Sequence, residues 1–181
     1  TDDIISLLLA SEVTDDDGET GSAPVEVTIE GAPDAAPVVD AGDDLAAVEG
    51  SSFVVDGSVV DDSPAVAVSW SVIPGAGVDA GASCTAASPA SASTTFSCDD
   101  DGTFTFRLTA DDGVNDPVGD ELQVVVSNAP PSIAVTTPTA SGPVGATIAV
   151  AAAVGDPSTH DTLTCSIAWG DGTSSSAQVI A

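Results

Sequence analysis

TCSIAWGDGT, residues 164–173, is the stretch on which the fold turns. Its Trp169-Gly170-Asp171-Gly172 reads either as a loop that does chemistry or as a tight turn between two strands. Glycine supplies backbone angles that other residues resist, and aspartate bonds nearby backbone to close a turn. Gly-Asp-Gly is a common turn composition, so the turn is the favoured reading and catalysis finds little support in it.

Outward from that turn the chain alternates. Val66, Val68, Trp70 and Val72 interleave with Ala67, Ser69 and Ser71, and Phe104, Phe106 and Leu108 with Thr105, Arg107 and Thr109. A period of two marks a strand with one buried face. Only DDIISLLLASEV, residues 2–13, reads as helical over more than a turn or two, and its apolar run is too short to span a bilayer.

The chain also resembles itself. VTDDDGETGSAPVEVTI (13–29) is similar to LTADDGVNDPVGDELQVVV (108–126), with Gly18 on Gly113. EGSSFVVDGSVVDDSP (49–64) is similar to VGATIAVAAAVGDPST (144–159), with Gly50 on Gly145. Two independent matches at one spacing of about 95 residues make an internal repeat. Linkers fall where Pro and Ala cluster, at GAPDAAPV (31–38) and SNAPPS (127–132). The expected organisation is therefore the last two strands of one unit at 1–34, a whole unit at 35–128, and the first half of a further unit at 129–181. Transposed by the repeat, Thr1 falls at position 96 and Ala181 near 82–86, so the two partial ends nearly make one unit.

Among 181 residues, 29 are acidic and only Arg107 is a Lys or Arg, for a net charge of −28. No basic surface exists to neutralise phosphates or to hold anionic membranes, which excludes nucleic acid as a partner, and with its one apolar run too short to span a bilayer no direct membrane insertion is expected in this segment. Such self-repulsion requires screening by salt or bound cations. With no Met or Tyr, four Phe and two Trp, a core is expected from small and β-branched side chains in thin layers. An apolar share of 43% together with the strict alternation argues against disorder.

Short strands, turn signals every eight to twelve residues and units of about 95 residues point to an all-β fold of tandem immunoglobulin-like β-sandwich domains. The motif Ile167-Ala168-Trp169-Gly170-Asp171-Gly172-Thr173, with TADDG (109–113) late in the preceding unit and APVVDAG (36–42) at a unit start, resembles the PKD (polycystic kidney disease) domain family. The resemblance covers essentially the whole chain, with departures. Ile167 stands where the family has Trp, Ala168 where it has Asp, and Trp169 where it has Phe. The middle unit lacks Gly-Asp-Gly and carries SWSVIPGAG (69–77) instead, keeping Trp70 inward.

Candidate sites follow from few residues. His160, the only histidine, lies in DPSTHDT (156–162), a polar loop without a nucleophile elbow, and reads as a solvated loop residue. Three Cys and one His sit at no zinc-like spacing. Cys84 and Cys98 bracket TAASPASASTTFS and are expected to form a disulfide, worth about 3 kcal/mol, the alternative being two buried free thiols. A disulfide implies an oxidising compartment and hence export. Cys165 is left over, so a partner for it is expected beyond these residues. Acidic clusters recur at Asp15–Asp17, at Asp40, Asp43 and Asp44, at Asp61 and Asp62, and at Asp111 and Asp112. In an immunoglobulin-like topology three of these gather at one end. Since some PKD-like modules hold calcium near such a junction, the resemblance implies a Ca²⁺ site at Asp40, Asp61, Asp62, Asp111 and Asp112, against solvated turns as the alternative. CDDDG (98–102) reads as a turn leading into the Phe104 strand.

The function expected is a non-enzymatic extracellular structural or adhesive protein, a stalk or filament at the cell surface, rigidified by calcium. Its partners would be further repeats in the same chain or neighbouring subunits joined head to tail, and a surface receptor or polysaccharide. Split units expose strand edges that a neighbour would complete; an excerpt from a longer array explains the same ends more simply. The alternative is an accessory PKD-like module of a secreted protease or glycoside hydrolase, which predicts exposed aromatic residues on one strand face. Both Trp and all four Phe are expected to face inward or lie next to Cys98, leaving no such platform. A capsid or tail decoration protein is a third possibility.

Overall fold

The computed structural model describes residues 5–137 and 139–177, and among them every regular element is a strand. The positions assigned above to Thr1 and Ala181 lie outside the described residues. In the middle unit the strands are β3 (Val38–Asp40), β4 (Leu45–Val48), β5 (Ser52–Asp56), β6 (Ser58–Val60), β7 (Ala67–Pro74), β8 (Cys84–Ala86), β9 (Ser93–Cys98), β10 (Gly102–Asp111) and β11 (Val118–Ser127). Before them stand β1 (Ile5–Thr14) and β2 (Thr20–Ile29), and after them β12 (Ser132–Val135), β13 (Ala152–Gly155), β14 (Cys165–Ala168) and β15 (Ser174–Ala177).

Two sheets enclose the core of the middle unit. One runs β4-β11-β10-β7 and the other β5-β9-β8, with β3 and β6 paired as a ribbon. Most neighbours are antiparallel, but β4 joins β11 in parallel, Leu45 opposite Val124 and Val48 opposite Ser127. The alternation read from the sequence sets these faces. Phe104, Phe106 and Leu108 on β10 are buried, Leu122, Val124 and Val126 on β11 face the same layer, and Val55, Phe96 and Cys98 close it from the other sheet.

The core departs from the small-residue layers anticipated from composition. Phe96 meets Phe106 edge to face at 4.7 Å, and Trp70 meets Phe96 at 5.7 Å and 84°. Phe53 approaches Phe106 at 6.0 Å. Edge-to-face contacts place the positive rim of one ring against the negative face of another, adding about 0.5–1.5 kcal/mol per pair beyond burial. The scarce aromatics are thus concentrated in one place instead of being replaced throughout. Trp70 also donates through Nε1 to the carbonyls of Ser91 and Ala92, at 3.0 and 3.2 Å. It lies so close to the backbone that a Cβ on Gly57 would meet Trp70 Cζ2 at 3.0 Å and Leu108 Cδ2 at 2.9 Å.

Cys84 and Cys98 sit directly opposite each other on β8 and β9 and form the expected disulfide. Cys165 is free.

The flanking segments differ from expectation in two respects. Residues 5–14 are a strand, not a helix: β1 pairs antiparallel with β2 along its whole length, from Ile5↔Ile29 to Thr14↔Thr20. Cross-strand hydrogen bonding satisfies the backbone there, and Leu7 and Leu9 stand on one side of the ribbon by the period of two. The second difference is that the described residues hold one sandwich core, in the middle unit, instead of a tandem series; β12-β13 and β14-β15 are two-stranded ribbons. The opening motif is the turn between β14 and β15. Asp171 Oδ1 accepts from the Thr173 amide at 2.8 Å and Trp169 donates its amide to the Thr173 carbonyl, with Gly170 and Gly172 at φ of 81° and 91°.

Candidate functional site at a unit junction

The loop between β13 and β14 packs against the end of the middle unit. Pro157 touches the chain at Gly50, where an added Cβ would come within 2.5 Å of Pro157 Cβ. Gly50 has φ of 68°, a left-handed conformation suited to glycine, which lets the turn after β4 present Glu49 inward. Beside it lies the turn between β9 and β10, tied by Gly50 N–H donating to Cys98 O at 2.8 Å.

Carboxylates converge there. An oxygen of Glu49 lies within 4.8 Å of oxygens from Asp100 and Asp101, and Glu49 forms a second such group with Asp156 and Asp161 of the β13–β14 loop. Glu49 and Asp100 are each only 1% exposed. Glu49 Oε1 accepts from the Ala129 amide at 2.9 Å, whereas Oε2 is buried without a hydrogen-bond partner. Asp100 accepts from the Asp79 amide at 2.6 Å and from the buried Ser158 hydroxyl at 3.4 Å.

Burial pushes the Glu49 carboxyl above its ordinary pKa, opposed by the Ala129 amide and reinforced by Asp161, Asp156 and Asp101. Asp161 is raised by desolvation and then by Asp156, Asp101, Asp100 and Asp79. The candidate ligand atoms in both groups are carboxylate oxygens.

His160, read from sequence as a solvated residue, belongs to this junction. Its Nε2 is 3.9 Å from Asp99 Oδ2, and its ring lies against Gly81. Ser158 Oγ accepts from the His160 amide and faces Asp100, so its hydroxyl is not directed to the imidazole.

The five aspartates proposed from the resemblance are not members of these two groups, and among them Asp61 Oδ2 is likewise buried without a hydrogen-bond partner. Asp40 Oδ1 accepts from Gly42 N–H at 2.9 Å, Asp61 Oδ1 from Ser63 N–H at 3.2 Å, and Asp111 Oδ1 from Gly113 N–H at 2.8 Å. Asp62 accepts from Ala35 N–H at 3.3 Å, and Asp112 from the amides of Val114 and Asn115 and the Asn115 side chain. Asp61, Asp62 and Asp112 gather near Asp34, whose carboxyl is raised first by desolvation and then by Asp112 and Asp62. The Asn115 side chain and turn amides hold Asp112 below its ordinary value.

Glu49, Asp100, Asp101, Asp156 and Asp161 were not among the candidate residues read from the sequence. One signal was available: the repeat aligns Glu49 with Val144, so an acid occupies a position that is apolar in the next unit. Trp169, expected to face inward, is 48% exposed on the β14-β15 ribbon. It donates through Nε1 to Ser175 Oγ at 3.0 Å.

Residues 41–126 match the family model described as "K319L-like, PKD domain". No curated protein matches the sequence. Among solved structures, "Structure of surface layer protein SbsC, domains 1-6" is similar at a TM-score of 0.36 and 12% identity, covering 97% of this chain and 32% of that one. The chain thus spans about a third of the length of that structure.

Proposed function

We propose, from the premise that residues 41–126 form a PKD-family domain, that this chain is a non-enzymatic structural module of an extracellular stalk or filament. The observation that carries this reading is the built joint between consecutive segments. Pro157 is seated on Gly50, Ser158 is bonded to Asp100, and Glu49 holds the Ala129 amide of the connecting linker. A joint of this kind fixes the direction in which one unit follows another, as a spacer requires. The Cys84–Cys98 disulfide supports an oxidising compartment and therefore export. Charge of one sign supports solubility and discourages unspecific association. Further sandwich units, in the same chain or head to tail in neighbouring subunits, are its natural partners, and attachment to a surface receptor or polysaccharide is the adhesive part of the reading.

Antibodies raised against residues 35–128 and applied to intact source cells provide the test. Labelling without permeabilisation is the expected result. Label that appears only after permeabilisation would overturn the reading.

A further inference from the structure

We propose that the joint binds a divalent cation of the calcium type at Glu49, which belongs to two carboxylate groups, one with Asp156 and Asp161 of the β13–β14 loop and one with Asp100 and Asp101 of the β9–β10 turn, the loop group being the one that crosses the joint. The inference rests on the reading of the joint as a structural connection and identifies what locks it.

Three observations lead to it. The first is the orphaned oxygen: Glu49 is buried, its Oε2 has no hydrogen-bond partner, and its near neighbours include the carboxylates of Asp100, Asp101, Asp156 and Asp161. A buried carboxylate persists when it is paired or coordinates a metal. Among the described residues no cationic side chain pairs with Glu49: Arg107 is engaged with Glu121 at 2.9 Å and His160 approaches Asp99.

The second is spacing. Oxygens on opposite sides of a Ca²⁺ ion are separated by about 5 Å, twice the metal–oxygen distance. In both groups the ligand atoms lie within 4.8 Å of one another, and Glu49 belongs to both.

The third is donor type. Oxygen-only ligation selects hard cations and disfavours zinc or copper, which seek imidazole or thiolate. Carboxylates delivered by three separate turns suit the flexible, high coordination of Ca²⁺ better than the small, near-ideal octahedron that Mg²⁺ demands.

These ligands come from both sides of the joint, so the cation ties the 156–161 loop to the sandwich. Removing it leaves like charges facing one another and loosens the connection.

The experiment is a calorimetric titration of the full chain, freed of metal by a chelator, with calcium chloride at fixed sodium chloride. It is run on the native sequence and on the Asp156→Asn/Asp161→Asn variant, which leaves the middle-unit core untouched, with circular dichroism to show that both are folded. One Ca²⁺ per chain is expected, bound at least tenfold more weakly by the variant, with amide exchange of residues 156–161 slowed by calcium in the native chain alone. An Asp61→Asn/Asp62→Asn control should retain native affinity. Absence of binding at millimolar calcium, unchanged affinity in the joint variant, or magnesium binding as tightly as calcium would each overturn the proposal. A surface-labelled chain that binds no calcium loses only this proposal, while calcium binding in a chain labelled only inside cells leaves it standing and removes the extracellular reading.

Discussion

The middle unit and the segments on either side of it use the same vocabulary of strands and Asx-closed turns, yet only one buries a core. On β10, Phe104, Phe106 and Leu108 are completely buried, whereas every described position of β2 is exposed, Val25 and Val27 included. Turn chemistry does not separate them, since Asp111 closes its turn through Gly113 N–H and Asp171 through Thr173 N–H, both at 2.8 Å. The difference lies in aromatic residues: Phe53, Trp70, Phe96, Phe104 and Phe106 all fall in the middle unit, and Trp169 alone falls outside it. Strand pairing is local and inexpensive in residue type, while an enclosed layer needs large side chains from two sheets at once.

Loss of a single ring should separate the two regions most clearly. Phe106→Ala should destabilise the middle unit by about 3–5 kcal/mol, while Leu9→Ala on β1 should cost less than about 1 kcal/mol, because its site already meets solvent. Denaturant unfolding followed by tryptophan fluorescence and circular dichroism measures both, and equal losses would show that β1 and the sandwich unfold as one body. The disulfide comes next. Cys84→Ser/Cys98→Ser should lower the stability of the middle unit by about 3 kcal/mol and leave the β14-β15 ribbon unchanged. Chemical shifts of the Trp169 indole report the ribbon, so a shift there would tie the two regions together.

The smallest effect concerns acid. Hydrogen bonds from the Asn115 side chain and turn amides lower Asp112, and those from the Thr173 hydroxyl and amide lower Asp171, each below 3.8. A carboxyl depressed in the folded state contributes stability above its unfolded pKa and loses it as pH falls through the folded value. Both turns should therefore weaken only below pH of about 4. Carboxyl-carbon titration by NMR should show both residues depressed, with Asn115→Ala returning Asp112 and Thr173→Val returning Asp171 toward 3.8. An undepressed Asp171 beside a depressed Asp112 would mean that the outlying turn forms only partly.

Much of this was legible in one dimension. Alternation identified the inward faces of β7 and β10, cysteine spacing identified the bridge, and Gly170-Asp171-Gly172 identified the last turn. The short-range pattern misled at residues 5–14, where consecutive Leu7, Leu8 and Leu9 blur any period and cross-strand pairing decides. Beyond the lone acid at Glu49, the junction was hard to read for a different reason. Glu49, Asp100 and Asp161 come from three turns far apart in the chain, and their meeting depends on how the β13–β14 loop lands on the sandwich. Composition even pointed away from it, since Asp is spread through so many turns that no single cluster stands out.

The parallel pairing of β4 with β11 has one more consequence. The two strands run in the same direction at opposite ends of the middle unit's sequence, Leu45 beside Val124 and Val48 beside Ser127. Tension applied through the flanking segments pulls β4 backward and β11 forward, along the strands and across their hydrogen bonds. The bonds are then strained together in shear instead of unzipping one after another. The seam that closes the sandwich is therefore also its tensile latch.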